Sequence, residues 1–324
     1  MAERFLVEAV NDALHVEMER DPAILVLGED VGKLGGVFRA TAGLQERFGA
    51  DRCVDTPLAE AGILGTAVGL CMAGWRPVCE MQYDAFSYPG LDQLINHVGR
   101  YRWRTRGKMS FPLVIRMPYG GGVRTPELHA DSPETYYVHT PGVKVAVPST
   151  PADAKGLLAA AIRDPDPVVL LEPKLIYRIA RGDVPEGEHV VPLGKACLAR
   201  EGSDVTIVAY GAMVPLAERA AEALNGEVSC EVLDLRTLKP LDEDALLSSV
   251  AKTGRAVVVQ EAPRVCGFAA EVAAVLAEKA IFDLRGPVVR VTGYDVPYPY
   301  WQIEDSYMPS EARVVDAVRR VLAA

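Results

Sequence analysis

The chain reads as an α/β protein: a domain built on a parallel sheet, followed by a smaller α/β domain. Three observations lead there. Short uninterrupted apolar runs such as Ala23 to Leu27 (AILVL) suit parallel strands covered on both faces. These runs alternate with segments of helical spacing, the first placing Leu6, Val10, Ala13, Leu14 and Met18 on one face before Asp21 and Pro22 end it. The alternation then breaks at an aperiodic stretch, Glu172 to Leu193, crowded with charge, Pro and Gly, and restarts beyond it.

In order, further strands are expected near Cys53, at Pro77 to Met81, Leu113 to Met117, Val143 to Val147 and Val168 to Leu171, with helical segments between most of them. Right-handed crossovers bring the strand C-termini to one edge, where ligands of such sheets bind. After the break come strands at Val205 to Ala209, Val228 to Leu233, Ala256 to Gln260 and Val288 to Val291. Helices are expected at Val214 to Leu224, Asp242 to Val250, Phe268 to Ile281 and Glu311 to Leu322. The division expected is a sheet domain over 1–175, a linker over 176–192 and a second domain over 193–324. The stretch Tyr294 to Met308 is aromatic and Pro-rich, and reads either as a docking surface or as a loop packed on its own domain.

At 324 residues the chain can bury two cores, and 49% hydrophobic content fits a globular class. No run reaches transmembrane length and MAERFLVEAV is no export signal, so a cytoplasmic protein without membrane contact is expected. Six cysteines form no CxxC pair and fall mostly in apolar segments, as reduced core thiols would, with neither a metal site nor a disulfide framework indicated. A net charge of −10 argues against nucleic acid as a partner.

One stretch stands out, DTPLAEAGILGTAVGLCMAGW at 55–75. Thr56 suits an N-cap and Pro57 the first helical position. From Leu58 to Trp75 the only charge is Glu60, on a helix apolar all round and therefore expected to be buried. Glu60 serves either the helix dipole or chemistry, since buried carboxylates are costly. Gly62, Gly65 and Gly69 suggest close backbone packing. The GEDVG run at 28–32 lacks GxGxxG order, and Gly120 to Gly122 forms a flexible loop with Arg116 and Arg124 nearby, so no phosphate cradle is evident. His129 follows that loop, where a surface role and a catalytic one compete. Gln82, Tyr83, Phe86 and Tyr88 leave a strand end and either pack on the next helix or wall a flat ring.

Together these stretches resemble the β subunit of the thiamine-diphosphate-dependent 2-oxo acid dehydrogenase E1 component. The resemblance rests on GEDVG at 28–32, DTPLAEAGI at 55–63, EMQY at 80–83, YPGLDQL at 88–94, HADSPE at 129–134, PGVKVAVPSTPADAKGLL at 141–158, LEPK at 171–174 and VTGYDVPYPY at 291–300.

The resemblance implies a transketolase-type pyrimidine-binding domain and C-terminal domain. It also implies an active site shared with an α subunit in an α2β2 heterotetramer, where the α chain's GDG...N segment holds Mg2+ and diphosphate. It carries Glu60 onto the family's catalytic glutamate, whose carboxylic acid hydrogen-bonds the pyrimidine ring and favours the imino tautomer that deprotonates the thiazolium carbon. A buried setting that raises the pKa of Glu60 would serve that role. It makes His129 a proton donor or acceptor toward substrate or lipoyl group, with Tyr83 facing the substrate. Glu29, Leu58, Ala59, Glu60, Gln82, Phe86, Ser87, Tyr88 and Pro89 line the pyrimidine. Phe86 stands where many relatives have tyrosine, so it offers only a ring face. The reaction implied is oxidative decarboxylation of a 2-oxo acid, with acyl transfer to the lipoyl group of an E2 acyltransferase core. The EPK and YDVPYPY stretches lean toward branched-chain acids, with pyruvate or acetoin as the alternative. A monovalent cation near Asp164 and Asp166 stays open. A nicotinamide-dependent oxidoreductase and a non-catalytic E2-binding scaffold are the competing readings.

Overall fold

The computed structural model describes residues 1–299 and 301–324. Tyr300, part of the aromatic stretch and of the VTGYDVPYPY motif, lies outside the described residues. The first sheet has seven strands in the spatial order Thr237–Lys239, Lys144–Ala146, Val168–Pro173, Val114–Tyr119, Arg76–Glu80, Ile24–Gly28 and Cys53–Asp55. All neighbours run parallel except the Thr237–Lys239 strand, which adds antiparallel at one edge. That strand comes from the second half of the chain, so the two halves are joined through a shared sheet as well as through the connecting segment.

The uninterrupted apolar runs are explained by burial on both sides. In Ile24–Gly28, Ile24 and Val26 enter one core cluster while Leu25 and Leu27 enter the other, and Val168 to Leu171 divide in the same alternating way. Helices Leu6–Arg20 and Pro151–Arg163 pack on each other over one face. Thr150 caps the second of them, accepting from the Asp153 amide, with Pro151 in its first turn.

The second sheet has the order Val289–Val291, Ala256–Val259, Val205–Ala209, Cys230–Asp234 and Cys197–Arg200, parallel except for the last strand. Four short strands went unforeseen: Ala2–Phe5, Arg181–Val184, Cys197–Arg200 and Thr237–Lys239. Each has four residues or fewer and exposed or half-buried positions, so none carries a strong apolar signature. One of them corrects the aperiodic reading of the 172–193 stretch, because Arg181–Val184 pairs antiparallel with Ala2–Phe5. Among the described residues no helix is long and apolar enough to cross a membrane.

The Asp55–Trp75 stretch departs most from expectation. Its helix runs Glu60–Met72 with Ala59 at the cap, so neither Thr56 nor Pro57 starts it. The cause lies upstream: the Thr56 amide donates to the Gly28 carbonyl at 2.9 Å, which keeps the chain extended beyond its strand. The helix is also not buried all round. Ile63, Leu64, Ala67 and Cys71 face the core, while Ala61, Gly62, Thr66, Gly69 and Met72 are exposed and Glu60 is half-buried. Nor do its glycines admit a neighbouring backbone, since a Cβ at Gly69 would meet nothing within 4 Å.

Candidate active site

Four parallel strands of the first sheet end together, with Gly28 beside Glu80, Glu80 beside Arg116, and Tyr119 beside Pro173. The residues that follow those ends build the site. Glu29 follows the first strand, Gln82 and Tyr83 the second, the Gly120–Asp131 loop the third and Lys174 the fourth.

Beneath them the sheet edge carries a fully buried Arg116. Its Nε donates to Glu172 Oε1 at 2.7 Å and its Nη2 to Oε2 at 2.5 Å, while Nη1 pairs with Glu80 and the Tyr177 hydroxyl donates to Glu172. A bidentate fork of this kind suits arginine and holds three strand ends in fixed relation. Arg116 is therefore consumed internally and cannot serve an external anion. Arg124 is likewise engaged, with Asp305 at 3.0 Å.

Glu29 is buried, 4% exposed, and neither carboxylate oxygen makes a hydrogen bond, although the Ala59 amide approaches. Burial, then the neighbouring Glu60 and Asp30, push its carboxyl up to about 7. Glu60 stands at the first position of its helix, where the free amides of the first turn favour a carboxylate. Two carboxyls, one of them orphaned, thus stand near enough at the sheet edge for Glu60 to raise Glu29. Gln82 lies alongside, its amide donating to Asp30 at 3.3 Å.

Beyond Gln82 the site turns aromatic. Tyr83 and His129 have ring centroids 4.3 Å apart, Phe86 and His129 4.9 Å, and Tyr83 and Phe86 5.4 Å, with Phe38 behind Tyr83 at 5.5 Å. His129 Nδ1 lies 2.8 Å from the Glu127 carbonyl. A carbonyl only accepts, so Nδ1 is the donor in this contact, the tautomer that leaves Nε2 free to act on a ligand. The structure therefore groups Glu29 with Glu60 and, through Asp30, with Gln82, and gathers Tyr83, Phe86 and His129 in a ring cluster, the two joined through the adjacent residues Gln82 and Tyr83. Leu58, 80% exposed, and Ala59 lie on the extended approach to Glu60, and Pro89 is exposed.

Ser87 and Tyr88 turn inward instead. The Ser87 hydroxyl donates to the Asp84 carbonyl at 2.5 Å and meets the Tyr137 hydroxyl, while the Tyr88 hydroxyl donates to Asp131 at 2.7 Å. Their side chains brace the 85–90 turn.

The glycine triplet is anchored rather than flexible. Gly121 donates to Glu261, Gly122 donates to Glu304 at 2.7 Å and to the Tyr298 hydroxyl at 3.1 Å, and Arg124 donates to Glu304 at 3.0 Å. Glu304 and Tyr298 belong to the Tyr294–Met308 stretch, which thus clamps the His129 loop of the first domain. Tyr294, Val296, Trp301 and Ile303 of that stretch remain exposed.

Reading the sequence for single chemical groups missed Asp84, Lys174, Glu261 and Glu304. The LEPK motif held the only hint, a lysine closing an apolar strand. Near the other end of the sheet, Lys144 holds Asp164 at 2.7 Å and Arg102 holds Asp166 at 2.7 Å. A concavity of about 1290 Å³ also lies there, lined by Arg100, Trp103, Arg104, Asp166 and Lys239 among others, and includes none of the candidate catalytic or pyrimidine-lining residues.

Comparison with known proteins matches residues 5–180 to the family "Transketolase, pyrimidine binding domain" and 194–314 to "Transketolase, C-terminal domain". The chain is 50% identical over 323 residues to the pyruvate dehydrogenase E1 component subunit beta of Bacillus subtilis (strain 168), covering 99% of each. The same subunit of Staphylococcus aureus (strain N315) is 48% identical over the same coverage. Among solved structures, a split-gene transketolase described as an inactive beta4 tetramer superposes with a TM-score of 0.80 at 26% identity, covering 98% of both chains.

Proposed function

This chain belongs to the E1 β-subunit family of the 2-oxo acid dehydrogenases, and on that premise we propose that it forms, with an α subunit, half of a pyruvate-decarboxylating active site. The family depends on thiamine diphosphate, with Mg2+ held mainly by the α subunit. When bound, the cofactor supplies a thiazolium carbon that acts as nucleophile and then as electron sink.

The observation that carries the proposal is the orphaned, buried Glu29 beside Glu60 at the sheet edge, next to the segment that bears the aromatic cluster. Two carboxyls with free oxygens fit the nitrogens of an aminopyrimidine, which both donate and accept. Glu60 would hold or return a proton at the ring nitrogen, and Glu29 would accept from the exocyclic amino group. Phe86 and Tyr83 offer ring faces that exclude water. His129, its Nδ1 fixed by the Glu127 carbonyl, would turn Nε2 toward the reacting end of the site and accept or return a proton there. Leu58, Ala59 and Gln82 would border the pyrimidine. The proposed division of the chain stays at 1–175, 176–192 and 193–324. The proposed assembly is an α2β2 heterotetramer that passes its acyl group to the lipoyl arm of an E2 core.

Pyruvate replaces the branched-chain preference because the curated relatives described above are pyruvate dehydrogenase subunits at 48–50% identity across nearly the whole chain. They lend the branched-chain reading no support. A methylene or two in an apolar pocket is worth about 1 to 3 kcal/mol, so discrimination should be measurable. The α–β pair, assayed with pyruvate and with branched-chain 2-oxo acids, is expected to give kcat/KM at least about tenfold higher for pyruvate. The reverse order restores the branched-chain reading, and turnover of neither acid removes the proposal.

A further inference from the structure

We propose that the buried Lys174–Asp84 ion pair is a positioning device that seats Tyr83 and the His129 loop for the reaction. Both side chains are wholly buried, and Lys174 Nζ donates to Asp84 Oδ2 at 2.6 Å. The other Asp84 oxygen accepts from the Ala85 amide at 2.7 Å and from the Asp131 amide at 3.3 Å. One carboxylate therefore ties together three segments that leave the sheet edge separately: the turn after Arg76–Glu80, the loop after Val114–Tyr119 and the start of the segment after Val168–Pro173.

Lys174 Nζ also lies 5.5 Å from the Tyr83 ring centroid, and that ring lies 4.3 Å from His129. The ammonium thus sits under the aromatic wall whose far member is the candidate proton carrier. An apolar pair of similar volume would serve packing alone at least as well, because charges taken out of water repay their desolvation poorly. What the ions add is geometry: the lysine fixes Asp84, and Asp84 fixes the backbone on both sides of the wall. Neither residue touches the point between Glu29 and Glu60, so both act through Tyr83 and His129.

This inference rests on the function proposed above, and two independent readouts separate the two. The double variant Lys174→Met with Asp84→Asn removes both charges while keeping an oxygen for the Ala85 and Asp131 amides. In the reconstituted α–β enzyme it is expected to assemble normally and bind cofactor with unchanged affinity, yet lose at least about tenfold in kcat. In the full-length chain without the α subunit, backbone hydrogen exchange over 120–131 should quicken while the central strands stay protected. Lys174→Arg, which keeps the charge, should recover part of the kcat.

Unchanged kcat together with unchanged exchange in the double variant overturns the positioning role. A fall in kcat matched by failed assembly, without rescue by Lys174→Arg, assigns the pair to stability alone and overturns it equally. If the unmodified α–β pair decarboxylates no 2-oxo acid, the proposed function fails, and loop exchange still decides whether the pair holds the loop.

Discussion

Glu60→Gln is expected to lower turnover of the reconstituted α–β pair by at least about a hundredfold, with assembly and melting temperature close to those of the unmodified enzyme. The magnitude follows from the role: a positioned proton donor or acceptor contributes roughly 10²- to 10⁴-fold. The amide keeps the size and the hydrogen-bonding reach of the side chain, yet can neither give up nor take a proton at neutral pH. Stability changes little because Glu60 is half-buried, at the first position of its helix, and packs no core. The variant loses only its carboxylate interaction with the helix N-terminus, typically about 0.3 to 1 kcal/mol. Steady-state kinetics and differential scanning of the same preparation separate the two effects. Turnover within twofold of the unmodified enzyme would remove Glu60 from the chemistry and favour the scaffold reading.

Glu29→Gln is expected to stabilise the isolated chain at pH 8 and to leave it nearly unchanged at pH 4.5. Glu29 is buried without a hydrogen bond, and burial together with Glu60 and Asp30 lifts its carboxyl from 4.5 to about 7. The folded chain therefore holds this proton more tightly than the unfolded chain does. Below about pH 4.5 both states are protonated and the group is neutral in its effect. Between 4.5 and 7 the unfolded chain ionises first, so stability falls as pH rises. Above 7 the penalty is constant, on the order of 2 to 4 kcal/mol. Glutamine cannot ionise and escapes that penalty. Other buried acids, such as Glu134, Asp234 and Glu261, are raised as well, so the informative quantity is the difference between variant and unmodified chain. Denaturation at several pH values should give a difference that grows from pH 4.5 to 7 and then levels off. A difference independent of pH would contradict the account. The same substitution should weaken cofactor binding in the α–β pair, so the extra stability comes at the expense of the site.

The sheet was legible because its strands are buried on both faces, and that leaves an unbroken apolar run for each: Ile24–Gly28, Val114–Tyr119 and Val168–Pro173 all lie within a residue or two of their expected places. The short edge strands were not, because Thr237–Lys239 owes its conformation to pairing with Lys144–Ala146 more than to its own residues. At the site, Glu29, Glu60, Tyr83, Phe86 and His129 could be found by type and by their position after strand ends. The start of the Glu60 helix could not: Thr56 and Pro57 have the right local chemistry for a cap, but the bond from the Thr56 amide to Gly28, twenty-eight residues earlier, overrides it. Ser87 and Tyr88 also looked like pocket residues, while the fold uses their hydroxyls as internal braces, Ser87 on the nearby Asp84 carbonyl and Tyr88 on the distant Asp131. The anchoring of Gly121 and Gly122 by Glu261 and Glu304 spans about 140 and 180 residues, and no local pattern announces a partner that far away.

The central claim is that this chain supplies one wall of a site completed by another polypeptide. It is tested most directly by calorimetric titration of thiamine diphosphate with Mg2+ into this chain alone, into an α subunit carrying GDG...N alone, and into the two together. The account predicts stoichiometric, tight binding only for the pair, weakened when Glu29→Gln is present. Stoichiometric binding of the cofactor by this chain alone, at the affinity of the pair, would contradict it.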